Sequence, residues 1–148
     1  MVRHAALDDA CIELHGPLGA GKTTFVRHLL HALGVPGRIK SPTYALMEPY
    51  ELARPQGVLH IWHFDFYRFE DPQELEDAGF RELYATPGLK LAEWPEQAAG
   101  LLPPADLRIH IEPLEPARRD DVGLAAQSNE PRHVRLEARS ARGLELLA

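Results

Sequence analysis

Between the apolar-rich segment Cys11-Ile12-Glu13-Leu14-His15 and an amphipathic run stands Gly16-Pro17-Leu18-Gly19-Ala20-Gly21-Lys22-Thr23, a complete GxxxxGK[ST] loop. It demands a strand that enters, a helix that leaves and a concave stretch of main chain between them. The three glycines lack the Cβ that would block positive φ, so backbone N–H groups can curl around a polyphosphate. The helix N-terminus behind the loop adds about half a positive charge aimed at the same anion. Lys22 is the candidate contact to the β- and γ-phosphates, and the Thr23 hydroxyl is the candidate Mg²⁺ ligand. Gly16, Leu18, Gly19, Ala20, Gly21 and Thr24 complete the expected nucleotide-binding loop. The competing reading is a glycine-rich turn that merely caps a helix.

The remaining elements follow from periodicity and punctuation. Residues 23–33 place Val26, Leu29, Leu30 and Leu33 on one helical face, and Gly34 with Pro36 stops the run. Tyr44 to Tyr50 and Val58 to Tyr67 read as strands joined through Pro55-Gln56-Gly57, an antiparallel pair. Asp71-Pro72 opens a helix in which Leu75, Ala78 and Phe80 supply apolar contacts through Gly79. Leu89 to Trp94 is a short strand ended by Pro95. Asp106 to Glu112 alternates as a half-exposed strand away from the sheet centre, and His133 to Arg139 alternates again. Residues 113–131 form a loop without a core of its own, expected to be flexible, and Gly143 to Leu147 closes the chain as a short helical turn or tail. The sum is a single domain over 1–148, an α/β fold of the three-layer P-loop NTPase-like class whose mostly parallel sheet carries antiparallel additions.

Composition narrows the setting. A net charge of −6 argues against a broad basic face that would grip nucleic acid directly, so any RNA connection is expected through a partner. One cysteine, Cys11, excludes an internal disulfide, and no apolar stretch approaches a membrane span. The segment Met1 to Ala10 lacks the apolar centre of a signal peptide. The expected location is cytoplasmic, with no membrane partner.

A magnesium nucleotide site also needs carboxylates, and two fall at strand ends. Asp65 lies in His63-Phe64-Asp65-Phe66-Tyr67-Arg68, where alternation turns Ile61, His63 and Asp65 to one face and Trp62, Phe64 and Phe66 to the other. Glu93 holds the corresponding late position in Glu93-Trp94-Pro95-Glu96. Ligands collect at the carboxyl ends of strands in such sheets, so both acids can converge on one metal and water; the alternative is two acids at exposed strand ends. Thr43, in Ser41-Pro42-Thr43-Tyr44, is placed either to sense a γ-phosphate as a switch loop does or simply to make a turn. His60 and His63, three apart in a strand, point to opposite faces and define no metal site.

The four motifs Gly16 to Thr24, Lys40 to Tyr44, His63 to Arg68 and Glu93 to Glu96 occur in the order and approximate spacing of the TsaE family, also called YjeE, which the chain resembles over about residues 11–112. These bacterial P-loop ATPases support threonylcarbamoyl modification of adenosine 37 of transfer RNA. The resemblance implies ATP or ADP and Mg²⁺ as ligands, slow ATP hydrolysis stimulated by partners, and action on the TsaD and TsaB proteins, with tRNA met only through that complex. Carried over, Lys22 binds phosphate, Thr23 and Glu93 hold magnesium, Asp65 orients water and Thr43 belongs to the switch-like loop. Trp94 packs beside the nucleotide or is a buried strand-end aromatic, and Arg132 resembles a family arginine near the nucleotide. Only ten residues precede the first strand, where the family usually has a strand and helix that help hold adenine, so adenine contacts are left unassigned. A small-molecule kinase using the same cradle is the alternative function, with Arg118 and Arg119 as its lid.

Overall fold

The computed structural model describes residues 4–40, 42, 46–77, 79–114 and 131–148. Six strands form one sheet in the order β2-β3-β4-β1-β5-β6, and the elements follow along the chain as α1 (His4–Leu7), β1 (Cys11–His15), α2 (Lys22–Leu33), β2 (Met47–Arg54), β3 (Gly57–Asp65), α3 (Pro72–Asp77), α4 (Phe80–Ala85), β4 (Leu89–Glu93), β5 (Leu107–Pro113), β6 (Arg132–Ala138) and α5 (Ala141–Leu147). The four central strands run parallel, β1 flanked by β4 and β5 with β3 beyond β4, while β2 and β6 add antiparallel edges. This is the expected α/β class, and β5 stands one place from the edge.

Alternation along the strands sorts the core into two faces. Ile12, Leu14, Ile61, Leu89, Leu91, Leu107 and Ile109 pack with Val26 and Leu30 of α2 and Leu7 of α1. Trp62, Phe64, Phe66 and Ala92 pack on the other face with Leu75 of α3 and with Phe80 and Tyr84 of α4. Phe64 meets Phe80 edge-on and Tyr84 tilted, both with ring centroids 5.3 Å away.

Two local expectations change. The strand placed at 44–50 starts at Met47 in the described residues and continues to Arg54, because β3 offers it partners from Phe64 back to Gly57. The helix opening at Asp71 is two: Asp71 caps α3 through Gln73 N–H at 3.0 Å, then Gly79 takes a left-handed conformation (φ 68°) and starts α4 in a new direction, which carries Phe80 to the aromatic core. In the loop expected at 113–131, residues 115–130 lie outside the described residues. None of the described helices is long and apolar enough to cross a membrane.

Asp106 ties three elements at one corner. Its carboxylate accepts from Cys11 N–H at 2.8 Å and from the Ser140 hydroxyl at 2.7 Å, and Ser140 in turn caps α5 at Gly143 N–H. Gly143 is required by close approach, since a Cβ there would lie 1.9 Å from the Asp106 carbonyl oxygen. Gly143→Ala is therefore expected to cost roughly 2–3 kcal/mol, as overpacking against main chain does. A lowered urea midpoint at unchanged slope would bear this out, and an unmoved midpoint would contradict it.

Beyond the aromatic core, the same sheet face turns polar: Glu13 accepts from Arg108 Nε at 3.0 Å and pairs with His15 at 2.9 Å, and His15 stacks on His110 at 5.0 Å between ring centroids. Burial raises the Glu13 pKa, but the His15 and Arg108 contacts outweigh it, so the carboxyl sits below its ordinary value. A lowered carboxyl pKa stabilises the fold above the unfolded value and loses that contribution as pH falls through the folded one. Glu13→Gln should thus be less stable than the native chain at about pH 7, with the gap shrinking toward about pH 3; urea midpoints that differ equally at both would count against the cluster.

Candidate functional site

The loop between β1 and α2 takes the concave form that its glycines allow. Gly16, Gly19 and Gly21 have φ of 151°, 79° and 104°, and a Cβ on Gly16 would meet the Ile111 carbonyl oxygen at 2.2 Å. Gly21 is the N-cap of α2, and among the described residues no side chain caps the helix. The first-turn N–H groups are thus left without a side-chain acceptor, the arrangement that favours an anion.

Lys22 is buried at the head of α2. Its ammonium donates to the carbonyl oxygens of Gly16 and Pro17 and lies 3.5 Å from the centroid of the Trp94 ring. Burial lowers its pKa, with Glu93, Glu96 and Asp65 pulling the other way. Next to it, the Thr23 hydroxyl lies 2.8 and 3.0 Å from the two carboxylate oxygens of Glu93, the last residue of β4, to which it donates. His63 Nε2 donates to Glu93 Oε2 at 2.5 Å.

Asp65 ends β3 directly opposite Glu93 in the parallel register. Its carboxyl accepts from Tyr67 N–H at 2.9 Å, and burial raises its pKa despite that bond. Trp94 follows Glu93 with φ 55°, the one non-glycine residue at positive φ among the described residues, and its ring sits 4.9 Å from that of Tyr67. Such conformations cost about 1–3 kcal/mol and persist where surrounding structure imposes them. Here Pro95 follows at once and opens a 3₁₀ turn, Pro95–Ala98, which holds the tryptophan over the loop.

These groups enclose a cavity of about 350 Å³, lined by Leu18, Gly19, Ala20, Gly21, Lys22, Thr23 and Thr24 together with Asp65, Tyr67, Glu93 and Trp94. The sequence thus brought ten expected residues to one place. Gly16 is joined to them as acceptor from Lys22. Arg132 is not among the lining residues; its Nε donates to the Ala20 carbonyl at 3.0 Å, bracing the loop's main chain. Thr43, Arg118 and Arg119 lie outside the described residues. Two participants were missed. Tyr67 entered only as part of the His63 to Arg68 motif with no role of its own, whereas His63 was legible, since alternation sets it on the Asp65 side of β3.

The donor set fits Mg²⁺. Among the described residues no group of three or more His, Cys, Asp or Glu could hold a metal ion. A magnesium ion bound with nucleotide needs no such cage, because phosphate and water oxygens fill most of its octahedron and one hydroxyl with one carboxylate suffices.

The fold and the loop define a P-loop protein. The solved structure of YdiB from Bacillus subtilis is similar at a TM-score of 0.53 and 30% sequence identity, over 72% of this chain and 62% of that one. The family model described as threonylcarbamoyl adenosine biosynthesis protein TsaE matches residues 2–120, and the chain belongs to that family. A relative from Haemophilus influenzae named tRNA threonylcarbamoyladenosine biosynthesis protein TsaE is 45% identical over 118 residues, covering 80% of this chain and 71% of its own length. One of the same name from Bacillus subtilis is 39% identical over 100 residues, covering 68% of this chain and 60% of its own.

Proposed function

We propose that this chain is a slow Mg²⁺-dependent ATPase that serves tRNA N6-threonylcarbamoyladenosine synthesis by acting on the TsaB and TsaD proteins, meeting tRNA only through them. The pathway and partners are supported by membership of the TsaE family. The nucleotide reading is carried by one observation above all, the Thr23 hydroxyl bonded to Glu93 at the mouth of a glycine loop whose helix no side chain among the described residues caps.

In this reading Lys22 exchanges its carbonyl partners for the β- and γ-phosphate oxygens. Thr23 and Glu93 are the protein's ligands to Mg²⁺, which when bound neutralises charge on the phosphoryl oxygens. Asp65, ionised, accepts a hydrogen bond from the attacking water and aims it. Trp94 and Tyr67 wall the site, and Arg132 keeps the loop's carbonyl at Ala20 in place. Catalysis of this kind is positioning plus electrostatics, so a partner that improves the alignment of the site raises the rate.

Phosphate release is the direct test. The chain alone should release phosphate from ATP slowly, and addition of the TsaB and TsaD pair should raise the rate. No release with the pair present would overturn the proposal, and transfer of the phosphoryl group to a small hydroxyl compound would mark a kinase instead.

A further inference from the structure

We propose that His63 is the positioning residue that fixes the Glu93 carboxylate for Mg²⁺, an inference that rests on the magnesium nucleotide reading above. His63 is wholly buried in β3, on the face it shares with Ile61, and stands opposite Leu91 in the register with β4. An ionised carboxylate only accepts, so the 2.5 Å contact requires the proton on Nε2. The other ring nitrogen, Nδ1, is buried and has no hydrogen-bond partner among the described residues. The imidazole therefore spends its single hydrogen bond on Glu93. A leucine of similar bulk would fill the same space without leaving a polar atom orphaned, so packing alone does not account for a histidine here.

Glu93 has two anchors, Thr23 and His63, and they differ in kind. The Thr23 hydroxyl is itself expected to turn toward the metal. His63 is locked inside the sheet and cannot follow. It is thus the fixed point that keeps Oε2 engaged and presents the rest of the carboxylate toward Thr23. Outer partners of metal-ligating groups act in this way, and their loss weakens metal affinity by about tenfold to a hundredfold.

The test uses the full chain and two variants. His63→Leu keeps the bulk and removes the donor, and His63→Gln keeps an N–H near the Nε2 position. ATP affinity is measured by calorimetry with chelator present, and the Mg²⁺ concentration giving half-maximal strengthening of ATP binding is then measured by titration. His63→Leu should raise the Mg²⁺ requirement about tenfold to a hundredfold with chelator-state affinity unchanged, and His63→Gln should recover most of the loss. An unchanged Mg²⁺ requirement in His63→Leu overturns the inference. So does an equal loss of affinity with and without metal, which marks general loosening of the fold. Should His63→Leu fail to fold, His63→Asn, whose shorter amide stops short of Glu93, carries the same expectation. A native chain that binds ATP with no response to Mg²⁺ defeats the underlying magnesium reading, an outcome distinct from either of the others.

Discussion

Lys22→Ala is expected to weaken ATP binding by about a hundredfold or more, since hydrogen bonds to charged groups contribute about 1.5–3 kcal/mol each and two phosphates lose their contact. In the structure the ammonium holds the carbonyl oxygens of Gly16 and Pro17 and covers the Trp94 ring. It already stands inside the loop, and little side-chain ordering remains to be done when an anion arrives. Burial disfavours its charged form and lowers its pKa, a penalty that an anionic partner offsets. Removal also frees two loop carbonyls, so a urea melt must accompany the binding isotherm. A folded Lys22→Ala chain that binds ATP as the native one does would refute the role.

Asp65→Asn and Glu93→Gln are expected to lower turnover by about a hundredfold to ten-thousandfold, the range in which a positioned acid or base acts. Their binding behaviour should differ from that of Lys22→Ala. Neither carboxylate is expected to contact phosphate directly, so much of the ATP affinity survives, with Glu93→Gln needing more Mg²⁺ than Asp65→Asn. The two acids are neighbours across β3 and β4, so their effects should fall short of additive in the double variant. Single-turnover phosphate release with saturating ATP separates the chemical step from binding. Full activity in both variants would dismiss the assignment.

Much of this arrangement was legible in the sequence because it is local. The strand Cys11–His15 has the bounds of the apolar-rich segment that precedes the glycine loop, and the loop and α2 follow it without a gap. The pairing of Asp65 with Glu93 was legible at one remove: each ends a buried strand, and strand ends gather where ligands bind. What escaped was set by tertiary contact. The break at Gly79 is dictated by where Phe80 must go to meet Phe64 and Phe66, partners outside the helical segment itself. His63 was weighed only against His60, whereas its partner Glu93 lies thirty residues further on and is reached through the parallel register. Tyr67 gains its place because Trp94 is held at positive φ, a conformation no propensity favours for tryptophan.

The glycine loop, Thr23 and Glu93 are expected to form one magnesium nucleotide site. Titration of the full chain with labelled ATP, first with Mg²⁺ and then with excess chelator, measures this directly. One saturable site per chain is predicted with the metal present, weakened at least about tenfold, or about 1.4 kcal/mol, once it is removed. Failure to saturate, or an isotherm indifferent to the chelator, would contradict it.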